Sequence, residues 1–251
     1  MSFTCSSCSW KSPIHKYYLK CPNCSSPLNI EAEREWKPKG RGLKRYLDML
    51  ALRKIISLGE GGTPTVKREI FNVQTIFKLE YLNPTGSFKD RGACLALNYA
   101  KNMGFKKVVE DTSGNTGISV SAYSTALNLE ATIVMPSDAP RSKKKLCEAL
   151  GAKVIEEESR EAAYEKALKL WRKGYHYTSH LWNPLFIEGY RTISYETFEE
   201  HGIPDSVICP VGSAGLLIGL YRGFQDLKSC LLYTSDAADD GESVDLGGRR
   251  I

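Results

Sequence analysis

A chain of 251 residues has room for one large α/β domain or two modest ones, and 42% hydrophobic with 25% charged residues is the composition of a globular protein that buries a core. The net charge of +5, from 34 basic and 29 acidic residues, gives no case for a nucleic-acid binder; the densest basic patch, Arg141 to Lys145, reads as a solvated helix face. No run of about 18 apolar residues could cross a membrane. Met1 is followed by polar residues and Cys5 rather than by the apolar stretch of a secretory leader, so the expected compartment is the cytoplasm.

Taken in chain order, the first feature is two C-x-x-C pairs, Cys5 with Cys8 and Cys21 with Cys24, separated by twelve residues. Two such knuckles on a small β ribbon offer the tetrahedral four-sulfur set that zinc prefers, and a complete sulfur shell makes the site structural rather than catalytic. The alternative, a pair of disulfides, needs an oxidising compartment that nothing else here suggests. Residues 1–30 are therefore expected to be a zinc ribbon. His15 lies between the knuckles as a bystander, and Cys94, Cys147 and Cys209 are isolated and read as core residues.

A connector follows, with one helix predicted over Leu43 to Ile56 and the loop GEGGTP, Gly59 to Pro64. From there strands and helices alternate. Strands are predicted at Gln74 to Glu80, Lys107 to Asp111, Ala131 to Met135, Lys153 to Ile155 and Ser206 to Pro210. Helices are predicted from Ser87, as a serine cap, to Met103, then at Thr116 to Leu127, Lys143 to Leu150 and Arg160 to Lys173, after Glu188, and from Ala214. Strand, loop, helix, repeated, predicts an α/β fold of parallel sheets with helices on both faces. Ligands in such folds bind at the carboxyl ends of strands.

The tail, Ser229 to Ile251, breaks the pattern. It has no period after Tyr233, turns acidic, small and glycine-rich, and its CLLYTSDAADD resembles a sequencing-library adapter translated in one frame. Residues 229–251 are expected to be non-native or disordered.

Three glycine-rich loops each follow a predicted strand: Pro84 to Gly92 (PTGSFKDRG), Thr112 to Gly117 (TSGNTG) and Val211 to Gly215 (VGSAG). Each alone is a generic anion cradle at a helix N-terminus. Lys89 is more specific, because the positive end of a helix dipole disfavours a second positive charge and so frees the amine as a nucleophile or base. The third loop suits a phosphate dianion. The second suits a carboxylate, with Asn115 able to reach a neighbouring hydroxyl or oxide. An aldehyde-bearing cofactor with a phosphate and a ring oxygen, pyridoxal 5'-phosphate, meets all three. Asn115 as a plain helix cap and the third loop as plain turn chemistry stand as the rival readings.

NPTGSFKDRG, SGNTG and the late glycine loop, in this order, resemble the fold-type II pyridoxal-phosphate enzymes. Within them the chain is similar to the threonine synthase family, where EGGTP (Glu60 to Pro64), NPLFIEGYRTISYE (Asn183 to Glu196) and PDSVICPVGSAGLL (Pro204 to Leu217) recur, and the ribbon is similar to that of its archaeal-type members. The resemblance covers residues 1–228. It implies a large domain built from about 31–93 and 189–228, and a small domain over about 94–188. It implies that Lys89 carries the cofactor and shuttles protons, Phe88 walls the ring, and Asn115 bonds the ring oxygen. Ser113, Gly114 and Thr116 would cradle the substrate carboxylate, and Gly212, Ser213, Ala214 and Gly215 would hold the cofactor phosphate. The implied reaction converts O-phosphohomoserine and water to threonine and phosphate, in a homodimer.

Three departures stand out. The phosphate loop usually carries more glycine and an asparagine, whereas here it reads GSAGLL. Tyr190 and Arg191 stand where relatives often have a smaller or amide residue and a lysine. The family also continues well past this point, so the chain is expected to lack the hydroxyl residue facing the pyridine nitrogen and to be inactive alone. Rival enzymes on the same fold are serine or threonine dehydratases, cysteine or cysteate synthases and diaminopropionate lyases. Arg141, Asn183 and Arg191 are the candidates for a substrate phosphate. A non-catalytic ribbon on a nucleotide-binding domain is the rival from another class, but no complete G-x-G-x-x-G is present. His176, His180 and His201 read as structural, and Trp171 and Trp182 as packing residues.

Overall fold

The computed structural model describes residues 1–236. The ribbon is a three-stranded antiparallel sheet of β1 (Ser2–Cys5), β2 (Lys11–Pro13) and β3 (Leu28–Glu31), in the order β2-β1-β3. It does not stand apart from the body. Phe3 and Leu28 are buried in the main core, and the Tyr17 hydroxyl donates to the Tyr177 carbonyl over 2.5 Å.

The helix predicted at Leu43 to Ile56 is instead a shorter 3₁₀ segment, Gly42–Met49. Its buried residues are Leu43, Tyr46 and Met49, a spacing of three that matches the 3₁₀ period rather than the α one. The next departure is a hairpin. β4 (Thr65–Ile70) was not predicted, and it pairs antiparallel with β5 (Val73–Lys78) through Phe71 and Asn72. Those two residues have φ of 50° and 60°, the mirror-image turn that suits strand twist, formed here without the glycine that usually signals it.

The predicted parallel sheet follows. β6 (Lys107–Asp111), β7 (Glu130–Pro136), β8 (Lys153–Glu157) and the two-residue β9 (His176–Tyr177) are ordered β8-β7-β6-β9, and every pair is parallel. Period-two alternation divides the strands between two cores. Val108, Ile133 and Met135 join the main core with α2 (Asn115–Ala126) and α3 (Arg141–Ala149). Val109 and Val134 face α4 (Arg160–Arg172) with Ala163 and Ala167.

The third part is a stack of α1 (Lys89–Asn102), α5 (Pro184–His201) and α6 (Gly215–Asp236). Glycines set its spacing. A side-chain carbon at Gly92 would overlap Phe186, and one at Gly189 would overlap the Arg91 carbonyl, so α1 and α5 cross with backbones nearly touching. On the other side, carbons at Gly219 and Gly223 would come within 2.5 Å of Tyr190 Cβ and 2.7 Å of the Arg191 carbonyl, which brings α6 equally close. α5 starts ahead of the predicted Glu188, because Asn183 Oδ1 accepts from Leu185 N–H at 3.1 Å and Pro184 takes the first helical position. The strand predicted at Ser206 to Pro210 does not form: no strand among the described residues pairs with it, and Ile208 is 98% exposed. α6 runs through Ser229 to Asp236, so the first eight residues of the predicted tail continue a helix; residues 237–251 lie outside the described residues.

Candidate active site

Lys89 is the first residue of α1, two residues later than predicted: Phe88, not Ser87, holds the cap position and no side chain caps the helix, although the Lys89 N–H donates to Ser87 Oγ at 3.3 Å. The two residues after it are anchors. Buried Asp90 accepts from Thr85 N–H at 2.7 Å, from Thr85 Oγ1 at 2.5 Å and from Ser119 Oγ at 2.6 Å, which ties α1 to α2. Arg91 has no exposed surface. It donates to Glu80 at 2.7 and 2.8 Å, to Glu196 at 2.6 and 2.8 Å and to Thr192 Oγ1 at 2.9 Å. Glu196 also takes the Gly62 N–H at 2.7 Å and the Lys78 ammonium at 2.9 Å, so the GEGGTP loop, the hairpin and α5 all converge on Arg91.

With both neighbours directed into the protein, Lys89 is left to the site. Its Nζ has no hydrogen bond or ion pair among the described residues and lies 4.8 Å from the Phe88 ring centre and 5.7 Å from that of Tyr190. Burial lowers its pKa, and the carboxylate of Glu110 opposes this. The shift runs in the expected direction, and desolvation is its largest cause. Glu110, fully buried on β6, is held through Oε1 by His180 Nδ1 at 2.5 Å, while its Oε2 has no partner. Burial raises the Glu110 pKa and His180 works against the rise.

The second loop sits at the carboxyl end of β6. Thr112 Oγ1 takes the Gly114 N–H at 3.1 Å, and a side-chain carbon at Gly117 would lie 2.9 Å from Met135 Cε and Thr112 Cγ2, so α2 starts hard against β7. No side chain caps α2, and Gly114, not Asn115, holds the cap position. This removes the reading of Asn115 as a plain cap: its side chain is exposed and uncommitted. The N–H groups of Ser113, Asn115 and Thr116 find no acceptor among the described residues and stand at the positive end of the helix.

The third loop reaches the site through Tyr190. A carbon at Gly215 would lie 3.6 Å from Tyr190 Cε2, while Gly212 faces open space. Ser213 is exposed, and Ala214 adopts φ 58° to turn the chain into α6. The ring of Tyr190 thus separates Lys89 and Phe88 from the late glycine loop, and packs edge-on to Phe88 at 5.0 Å. Its buried hydroxyl has no partner among the described residues. Lys89, Phe88 and Gly215 are brought together around this ring. Ser113, Gly114, Asn115 and Thr116 form a second group, linked to the first through the Asp90–Ser119 bond. Of the candidates for a substrate phosphate, Asn183 caps α5 through Oδ1 while its buried Nδ2 has no partner among the described residues, Arg191 pairs with Asp226 at 2.6 Å, and Arg141 remains exposed.

Sequence reasoning missed Tyr190 as a site residue, although it had marked the position as a departure. It also missed Glu110 with His180, for which the signal was an acid directly after the two valines of β6.

At the far end, Cys5, Cys8, Cys21 and Cys24 are all free thiols with sulfurs within 4.8 Å of one another. Cys5 and Cys24 are 3.4 Å apart and Cys8 and Cys21 3.7 Å, far beyond a disulfide and near the edge of about 3.8 Å expected for a zinc tetrathiolate. Hydrogen bonds from the Ser26 side chain and backbone lower the Cys24 thiol to about 6, whereas, against a backbone bond from Trp10, burial and the three neighbouring thiols push Cys8 up to about 12.

Among known proteins, the profile of the pyridoxal-phosphate dependent enzymes matches residues 56–237. Threonine synthase from Methanocaldococcus jannaschii is 32% identical over 78% of this chain and 52% of its own length, and that of Synechocystis sp. is 34% identical over 77% and 53%. The solved serine racemase of Dictyostelium discoideum superposes with a TM-score of 0.60 at 31% identity, over 66% of this chain and 57% of its own. The chain spans about half the length of the curated relatives it matches. Carrying the lysine loop, the uncapped α2 terminus and the late glycine loop inside the matched region, the chain belongs to the pyridoxal-phosphate dependent enzyme family.

Proposed function

We propose that Lys89 is the amine that bonds pyridoxal 5'-phosphate, and that the whole protein converts O-phosphohomoserine and water to threonine and phosphate. The observation that carries the first part is a half-buried ammonium with no counter-ion among the described residues, walled by Phe88 and Tyr190. An amine so placed is partly deprotonated at lower pH than usual and free to attack an aldehyde. The site fits the cofactor in two further ways: the Tyr190 hydroxyl is buried without a partner among the described residues, and the glycine loop leaves open space at Gly212. When bound, the cofactor supplies an electron sink for carbanions at the substrate's Cα and Cβ.

The chain's own residues do the rest. Lys89 Nζ takes and returns protons at Cα and Cβ, and Phe88 holds the ring in place. Asn115 donates to the ring oxygen. The N–H groups around Ser113, Gly114 and Thr116 hold the substrate carboxylate at the α2 terminus. Gly212, Ser213, Ala214 and Gly215 hold the cofactor phosphate, with the Ser213 hydroxyl as a donor. Cys5, Cys8, Cys21 and Cys24 hold a structural zinc ion. A cytoplasmic homodimer is part of the same reading. The likeness to threonine synthases over more than three quarters of the chain supports this choice of substrate.

One observation favours a second reading, a dehydratase or synthase acting on an unphosphorylated amino acid: Arg191 is committed to Asp226. Two measurements separate the readings. Adding the cofactor should give a visible absorbance band that borohydride bleaches and that Lys89→Ala lacks; its persistence in that variant would overturn the lysine assignment. The full-length protein should release phosphate and form threonine in equal amounts from O-phosphohomoserine. No product, with a response to serine or threonine instead, would select the second reading.

A further inference from the structure

A second polar centre lies away from Lys89, where the ribbon meets α5 and α6. It holds three guanidinium groups and two carboxylates. Arg34 pairs with Glu188 at 2.9 Å and approaches Asp226 at 3.3 Å. Arg191 pairs with Asp226 at 2.6 Å, and its Nε lies 2.9 Å from Glu188 but out of line for a hydrogen bond. Tyr195 donates to Asp226 at 2.5 Å. Both carboxylates are therefore spent on Arg34 and Arg191. Arg222 is the surplus among the described residues: its one bond there is to a neutral acceptor, Asn29 Oδ1 of the ribbon, at 2.6 Å. Burial and the charge of Arg191 lower its pKa, against the opposing pull of Glu188 and Asp226.

Arg222 and Arg191 open onto a cavity of about 340 Å³ that is also lined by Thr4, Asn29, Ile30, Gln225 and Asp226, the last paired with Arg191. Glu31 at the rim is taken by Lys11, at 2.6 Å. A forked guanidinium, a hydroxyl and an amide facing one solvent-accessible space is the donor set for a tetrahedral oxyanion. We propose that this cavity is a phosphate-class anion site, with Arg222 as its principal ligand, bridging the ribbon to α6. The ligand is free phosphate or the phosphoryl group of a small metabolite. This inference does not depend on the reaction assigned to Lys89.

The test is calorimetric titration of inorganic phosphate, at fixed ionic strength, into protein saturated with pyridoxal 5'-phosphate so that the glycine-loop site is filled. One saturable site is expected. Arg222→Gln should weaken it at least tenfold. Because that variant could disturb the ribbon contact, Gln225→Glu is the second: Gln225 is exposed, and a carboxylate there supplies a counter-charge, so phosphate affinity should again fall tenfold or more while the cofactor band is unchanged. Titrating glycerol 3-phosphate separates the sources. Equal affinity assigns free oxyanion, and tighter binding assigns a phosphorylated metabolite. No saturable binding, or unchanged affinity in Gln225→Glu, would overturn the proposal.

Discussion

Glu196→Gln tests the claim that a buried ion cluster, rather than the site itself, holds Lys89 in place. Glu196 accepts both guanidinium nitrogens of Arg91, the Lys78 ammonium and the Gly62 N–H. These partners outweigh burial and lower its pKa from 4.5 to about 2. At about 1.4 kcal/mol per unit, the charged form contributes roughly 3 kcal/mol of stability. Because the folded value is depressed, that contribution is complete above pH 4.5 and is lost as pH falls through about 2. Glutamine keeps the shape and removes the charge, leaving Arg91 with Glu80 alone, and breaking a buried pair typically costs about 3–5 kcal/mol. Urea unfolding followed by tryptophan emission suits the region, since Trp36 packs on Tyr195 and Tyr46. The variant should be less stable by roughly 3 kcal/mol at neutral pH, and the gap should close toward pH 2. A gap under about 1 kcal/mol at pH 7, or one that does not change with pH, would refute the reasoning.

Glu110→Gln removes the charge that opposes the lowering of the Lys89 pKa, so the pH at which half the cofactor is captured should move down; an unmoved midpoint would show that Glu110 does not act on the amine. Gly189→Ala forces a carbon into the Arg91 carbonyl, a backbone atom that cannot turn away, and should cost about 3 kcal/mol in the same urea assay. The control Gly104→Ala has open space and a φ of 82°, so it should cost only the backbone strain, about 1 kcal/mol; equal losses would dismiss the close-crossing argument. The protein should hold one zinc ion per chain. Chelation should expose four further thiols to Ellman's reagent and lower the melting temperature, because Tyr17 of the ribbon is bonded to Tyr177 beside β9; an unchanged thiol count would end the metal reading.

What could be read in advance was what local chemistry decides. Lys107 to Asp111 was placed to the residue, because an apolar run between a lysine pair and a glycine-rich turn has one good answer. α4, predicted at Arg160 to Lys173, opens at Ser159, whose Oγ accepts the Ala162 N–H at 3.1 Å. The cysteine spacing predicted a cluster that the fold closes. What escaped was decided at long range. β9 is two residues long and exists because β6 offers an open edge. The strand predicted at Ser206 to Pro210 has the composition of one and no partner among the described residues, and a strand without a ladder is only extended chain. The 3₁₀ segment could have been found from Leu43, Tyr46 and Met49, had a spacing of three been weighed against 3.6.

The Lys-Asp-Arg run explains itself once burial is known. A lysine at the start of a helix has no reason to be buried, and left alone it would extend into water. Asp90 and Arg91, on the next two positions, bind α2 on one side and α5 on the other, and Gly92 lets α5 approach until Phe186 and Tyr190 close over the helix start. The enforced contact with Tyr190 carries the late glycine loop to the same place, since Gly219 seats α6 on that residue's Cβ. Desolvation of Lys89 is therefore a product of its neighbours' anchoring. The prediction is that weakening any one anchor returns the amine toward its ordinary pKa. Asp90→Asn keeps the shape but loses the charge that takes the Thr85 and Ser119 donors. It should raise the midpoint pH for cofactor capture without touching Lys89, and a midpoint that stays in place would mean that burial of the lysine is set by Phe88 and Tyr190 alone.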